Sequence, residues 1–459
     1  YPSAISGDFY SLFYGPATYL IYAPWMNGHL TSLLPLRLAV SLADAASVAL
    51  IYAALRPRLA RAEAMAALCV TIIVVMPYPD EFLGLRGDPW LLLACSLAMF
   101  LSLRPRSRWT LSSMLIAGAA MGLAIDVKIT AVPVACLVAA IALRRFGKAA
   151  ALIALVSAAV VSLSVFLLHG ISFREYVFSL HTASHQPLLR SNLLLESLVL
   201  LVLLLPALRG GVRQAIRIVR QRAGTIVLTT GLVSLAICMV AGSKYSAGPW
   251  HLWPLVPFLV ATAIFTEAKV LIPSDIKVPT RISGMAYATS LAIAGCVVAL
   301  LWGATDMKML CPLLSQSFRR AEVVDAIELR QDVTSDHGRN VVMGYGNNLN
   351  DERTNLRYRL ILAGERYDFD ENEVVEAQKA SVKIPAAALL RIQRCDDDWI
   401  LPHGDTPFSA IKDWLVPGDN FEPMFPAALR SSFSETYTLA KAGTAYDLWS
   451  CRANLSKKL

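Results

Sequence analysis

The sequence predicts a mostly α-helical protein: a polytopic bundle of about ten transmembrane spans, followed by a small extracytoplasmic α/β domain. Three observations predict it. The 459-residue chain is 56% hydrophobic with a mean hydropathy of +0.51, and its apolar stretches approach the length needed to cross about 30 Å of hydrocarbon. That apolar character fades after about Trp302, which sets the domain boundary at 1–303 and 304–459. Charge divides at the same place: 23 Lys/Arg against 11 Asp/Glu before it (+12), and 19 against 23 after it (−4).

The overall charge of +8 therefore carries no nucleic-acid signal. Its excess belongs to the membrane part, where loop cations set orientation, and the acidic remainder has no basic stripe.

Taken in order, the expected spans are 36–55, 63–77, 89–103, 109–125, 129–143, 147–168, 192–208, 224–241, 252–267 and 284–303. The two spans meeting near Asp126 are short enough to be helices that stop within the bilayer. Alternating the spans gathers 17 Lys/Arg on one side, in the loops at 56–61, 104–108, 144–148, 209–222 and 269–281. The other side holds six: Arg37, Arg86, Lys128, Arg174, Arg190 and Lys244. Positive loops stay cytoplasmic, so Tyr1 and the C-terminal domain fall outside, in a bacterium the periplasm. An odd number of further spans, most simply one, is then expected upstream of Tyr1.

In the tail, "NVVMGY" (340–345) and "DWILP" (398–402) predict buried strands, "AEVVDAIELRQ" (321–331) a helix, and "YTLAKAGTAYDLWSC" (437–451) a hairpin. Five cysteines lie in apolar segments and predict small core residues. Cys395 and Cys451 either pair in an oxidising compartment or stay as buried thiols. No CxxC or Cys/His metal spacing occurs.

The outer loops carry the residues with chemistry. "GDFYSLFYGPATYLIYAPW" (7–25) holds Asp8, Tyr14 and Tyr19 and predicts a short interfacial helix broken by Gly-Pro. "PYPDEFLGLRGDPW" (77–90) places Asp80, Glu81, Arg86 and Asp88 at a membrane boundary, where unpaired charge is costly. An Arg86–Asp88 pair is the structural alternative. "GLAIDVKITAVP" (122–133) interrupts an apolar run with Asp126 and Lys128, a compact cation suited to a lipid phosphate. "GSKYSAGPWHLWPLVPF" (242–258) brings Lys244 and His251 to an outer end, beside Trp250 and Trp253. His181 and His185 share an i, i+4 spacing, but no HExxH acid accompanies them. Asp44 and Glu196, each among apolar residues, suit either a hydrogen bond between helices or a proton relay.

Carboxylates, cations and aromatic surfaces thus converge on one face. A transferase using a lipid-phosphate-linked sugar needs a carboxylate to deprotonate the acceptor and cations for the departing phosphate.

These loops resemble the C-type membrane glycosyltransferase superfamily, which includes protein O-mannosyltransferases and lipid A aminoarabinose transferases. "YGPATYLIYAPW" is similar to the segment closing that family's first outer loop, and "LRGDPWLLLACSLAMF" to its Arg-Pro-Asp segment. "DVKITAVP" is similar to its Lys-Gln-Thr type, and "PWHLWPLVPF" to its His/Tyr-Leu-Leu-Pro segment. "WILPHGDTPF" and "YDLWSC" resemble the periplasmic domain appended in some bacterial members. The resemblance implies inverting transfer of a sugar from a polyprenyl-phosphate donor to a glycan, lipid or protein acceptor, in the inner membrane with the active site periplasmic. It implies Asp8 and Asp88 as catalytic carboxylates, and Arg86, Lys128, Lys244, His251, Tyr14 and Tyr19 as donor contacts. The family's main catalytic acid is expected upstream of Tyr1. No cofactor is implied, although the loop carboxylates admit a divalent metal ion. A periplasmic-face polysaccharide ligase or polymerase is the first alternative. A flippase or transporter is the second, disfavoured because charges cluster on one face instead of lining a path.

Overall fold

The computed structural model describes residues 15–22, 34–58, 87–168, 171–208, 216, 220–221, 224–245, 247–267, 340–347, 371–383, 386–410 and 423–455. The expected spans at 63–77 and 284–303 and the expected helix at 321–331 lie outside the described residues. A short helix α1 (Pro16–Tyr22) is followed by α2 (Leu34–Leu55), α3 (Asp88–Leu103), α4 (Thr110–Val127), α5 (Val132–Phe146) and α6 (Lys148–Ser164). Then come α7 (Phe173–His185), α8 (Arg190–Leu208), α9 (Thr225–Gly242) and, after a 3-10 turn over Pro249–Leu255, α10 (Val256–Glu267). Among the described residues, five helical stretches are long and apolar enough to cross a membrane: Leu38–Leu55, Thr110–Val127, Ile129–Phe146, Lys148–Leu167 and Thr225–Gly242. The two stretches meeting near Asp126 are thus each long and apolar enough to cross, where the sequence admits shorter helices.

Local chemistry explains where these helices begin and stop. Asp88 and Pro89 open α3, an acid against the positive end of the helix dipole and a proline where no intrahelical N–H is needed. Lys128 adopts extended φ/ψ, −154° and 120°, and ends α4; Pro133 then starts α5 one 3-10 turn later. Gly147, at φ +99°, closes α5 and lets α6 begin at the next residue. Ser172 caps α7 by accepting the Glu175 N–H at 3.3 Å.

Small residues let α4 and α6 lie close together. A Cβ at Gly118 would fall 2.3 Å from the Ala154 carbonyl oxygen, and one at Gly122 2.7 Å from that of Ala158. Ser157 Oγ donates to the Leu115 carbonyl at 2.8 Å across the same seam. Such approach replaces hydrophobic drive where lipid competes equally for apolar side chains. Leu115, Leu152, Val156, Val160 and Leu194 remain exposed on the outer helix faces, as lipid-facing residues would be.

The helix ends sort by chemistry. At one end Arg145 donates to the carbonyls of Leu103 and Arg104, both at 3.2 Å, and Arg144 lies beside Gly224. The opposite end carries the α4–α5 break, the start of α3 and the end of α9.

The C-terminal part is a four-stranded sheet of β1 (Asn340–Met343), β2 (Asp397–Pro402), β3 (Tyr437–Ala442) and β4 (Tyr446–Cys451), in the order β1-β2-β4-β3. β1 and β2 pair in parallel, while β2–β4 and β3–β4 pair antiparallel. Helices α11 (Glu371–Lys379), α12 (Ala386–Gln393), α13 (Ala427–Thr436) and α14 (Arg452–Leu455) accompany it. Trp399 is fully buried and meets Phe408, Phe433 and Tyr437 edge to face. Cys395 and Cys451 form a disulfide, which decides between the two alternatives for that pair.

The sheet's core extends to the helical part. Tyr245 is buried with Val342, Tyr345 and Val374, with Phe178 and Leu189 packed on the same cluster. Gln186 Nε2 donates to the Glu376 carbonyl at 2.8 Å, and the Lys379 ammonium sits over the Tyr245 ring. The α/β part therefore seats on α7 and the segment after α9, at the bundle end opposite Arg144 and Arg145.

Candidate functional site

The site begins at the α4–α5 break. Where α4 stops, the Lys128 side chain turns into the protein, and its Nζ lies 2.9 Å from Oδ1 of Asp88 in the first turn of α3. Both side chains are buried, 6% and 0% exposed. Two residues 40 positions apart, each singled out as a charge at a membrane boundary, thus form one buried ion pair. Desolvating both charges is costly, and such a pair persists only when its geometry and further hydrogen bonds are good.

The opening stretch roofs this pair. Gly15 N–H donates to the Val127 carbonyl at 2.9 Å, and a Cβ on Gly15 would lie 1.8 Å from the Asp126 carbonyl oxygen. Gly87 is equally tight, since a Cβ there would fall 2.5 Å from Thr18 Oγ1 and 2.6 Å from Val127 Cγ1. Only glycine permits either approach. Trp90 Nε1 donates to Tyr22 Oη at 3.0 Å, tying α1 to α3. Tyr176 of α7 is buried within electrostatic range of the buried Asp126; burial first, then that carboxyl, push its phenol pKa up.

The second half of the site follows α9. The Lys244 ammonium donates to the carbonyls of Ala183 and Ser184 at 2.9 and 2.7 Å, so two of its three donors cap the C-terminus of α7. Burial lowers its pKa. These are helix-end carbonyls that α7 itself leaves unsatisfied. Asn192 Nδ2 braces the segment from α8, donating to the carbonyls of Lys244 and Ala247 at 2.9 and 2.8 Å.

His251 sits on the 3-10 turn, its backbone N–H donating to Gly248 at 3.0 Å. Its Nδ1 is shut off from solvent and has no hydrogen-bond partner among the described residues. Burial, then the ammonium groups of Lys128 and Lys244, hold its pKa well below the ordinary histidine value. The ring is therefore neutral at physiological pH.

Asp8, Asp80, Glu81, Tyr14 and Arg86 lie outside the described residues, and so does any Arg86–Asp88 pairing. Tyr19 falls within α1. His181 and His185 are exposed, their rings 4.2 Å apart, with His185 Nδ1 2.9 Å from the His181 carbonyl. Among the described residues no group of three or more His, Cys, Asp or Glu could hold a metal ion.

Of the two alternatives for Asp44 and Glu196, the hydrogen bond between helices is not seen among the described residues: each is buried with both carboxyl oxygens unpartnered there. Glu196 was legible only as an intramembrane acid, yet it belongs beside the site: a Cβ on Gly242 would lie 1.8 Å from its Oε1 and 2.8 Å from the Gly248 carbonyl. Its position six residues after Arg190, within two turns of the start of α8, was the available signal.

Compared with known proteins, the chain matches no family model, no curated sequence and no solved structure. Its own fold defines the class: a mostly helical chain with, among the described residues, five helical stretches long and apolar enough to cross a membrane, and a small α/β part seated at one end.

Proposed function

We propose that the chain is a glycosyltransferase of a bacterial inner membrane, with about ten spans and its active face periplasmic. It moves a sugar, with inversion, from a polyprenyl-phosphate donor to a glycan, lipid or protein hydroxyl. The observation that carries this reading is the buried Asp88–Lys128 pair, a carboxylate and a cation at 2.9 Å, with Gly15 packed against the end of α4 beside it. Its bundle end is the one away from Arg144 and Arg145, as the positive-inside rule requires of an outer face.

The chemistry uses both partners. The donor phosphate competes with Asp88 for the Lys128 ammonium, which frees the carboxylate to take the acceptor's hydroxyl proton. The resulting oxygen attacks the anomeric carbon opposite the phosphate. The sugar–phosphate C–O bond breaks with its electron pair going to the phosphate oxygen, and Lys128 offsets the charge that develops there. Trp90, partly exposed and tied to Tyr22, supplies aromatic surface for the carrier, with Tyr14 and Tyr19 as further candidates, while Asp8 and Arg86 are candidates for base and phosphate contact.

The test is transfer of radiolabelled sugar from purified polyprenyl-phosphate-sugar in liposomes. Lys128→Ala and Asp88→Asn are each expected to lower turnover by about a hundredfold or more. Unchanged turnover in both variants would remove the site assignment.

A further inference from the structure

Beside the ion pair lies a second group of buried polar atoms that the transfer step does not use. Among the described residues, Glu196 has 0% exposure and two unpartnered carboxyl oxygens. Thr130, 7% exposed, has an unpartnered Oγ1 there, and His251 an unpartnered Nδ1. Buried polar atoms are almost always satisfied, and leaving one alone is costly. Three of them, from three separate elements, point to a ligand that completes them.

One face of α9 brings them together. Cys238 and Gly242 are one helical turn apart and share that face. Cys238 Sγ contacts the Thr130 carbonyl at 3.8 Å and lies within electrostatic range of both Glu196 and Lys128. Gly242, bare of a side chain, is where the Glu196 carboxyl rests. The Gly248 carbonyl adjoins that position and receives the His251 N–H. Thr130 is also two residues beyond Lys128, so the cluster is continuous with the Asp88–Lys128 pair.

The donor types decide the ligand class. Glu196, Thr130 and His251 include no cation to hold a phosphate, which leaves the phosphate to Lys128. A neutral imidazole nitrogen, a hydroxyl and a carboxyl are together matched to a neutral ligand rich in hydroxyls. We propose that Glu196, Thr130 and His251 form a buried subsite for the sugar ring of the donor, next to the phosphate position. This rests on the glycosyltransferase reading and specifies which atoms recognise the transferred unit.

The experiment measures equilibrium binding of the full chain in detergent to bare polyprenyl phosphate and to the same carrier bearing mannose, glucose or aminoarabinose. The wild type is expected to bind at least one glycosylated carrier about tenfold more tightly than the bare one, the scale of one net hydrogen bond. Glu196→Gln is expected to bring that preference to parity while bare-carrier affinity, which reports a folded phosphate site, stays the same. If Glu196→Gln also loses bare-carrier binding, Thr130→Val, which removes only a hydroxyl, decides by the same comparison. Retained preference in the folded variant overturns the subsite, as does a wild type that binds all four carriers alike. Failure of the wild type to bind any carrier instead overturns the glycosyltransferase reading, and the subsite with it.

Discussion

At the scale of single residues, Asp88 and Lys128 show what a sequence can and cannot disclose. Each was legible as a charge in apolar surroundings, where its cost implies a partner or a task. Their mutual pairing was not, because nothing local links positions 40 apart. Lys244 was likewise legible as a cation at an outer end, while its bonds to the carbonyls of Ala183 and Ser184, 61 and 60 positions away, were not. His251 makes a prediction about pH. Its folded pKa lies below the ordinary histidine value, so below about pH 6.5 the unfolded chain binds a proton that the folded protein refuses. Stability supplied by the neutral ring is present above that pH and declines below it, by up to about 1.4 kcal/mol per pH unit. Thermal unfolding followed from pH 7.5 downward (each value approximate) is expected to show this decline in the wild type and a flatter profile in His251→Gln.

At the scale of elements, helix positions were legible from apolar length and punctuation. The expected 147–168 span became α6 and its following turn, Lys148–Leu167, because Gly147 and the polar residues before it permit no other start. How the helices meet was less legible. Gly118 and Gly122 read as ordinary helix glycines until α6 lies across them. Gly118→Leu is expected to force α4 from α6 and destabilise the protein by about 1–3 kcal/mol or more, measured as a fall in the detergent unfolding midpoint. In the sheet, the hairpin and both buried strands were readable from alternation and turn residues, whereas the parallel β1–β2 pairing depends on contacts far apart in sequence. The Cys395–Cys451 bridge spans 56 positions and closes that sheet's loop. On loop-closure entropy it is worth about 4 kcal/mol. Reduction, or the Cys395→Ser/Cys451→Ser double variant, should lower the Tm of the α/β part more than that of the helical bundle.

At the scale of the whole molecule, two chemically distinct ends define the protein. Arg144 and Arg145 stand at one. At the other are the buried ion pair, the roof at Gly15, the orphaned polar atoms and the α/β part on Tyr245. The charge pattern anticipated this polarity, because loop cations report it directly. The seating of Tyr245 in the sheet's core was not anticipated, since one tyrosine in a loop carries no address. The central claim is that the Asp88–Lys128 pair performs chemistry instead of only holding the bundle end together. Removing one partner of a buried pair costs about 3–5 kcal/mol, whereas replacing both with uncharged residues of similar volume is often close to neutral. The measurement is stability and sugar transfer together in the double variant Asp88→Asn/Lys128→Met. Wild-type stability with transfer still abolished is the predicted result; transfer restored along with stability would contradict the claim.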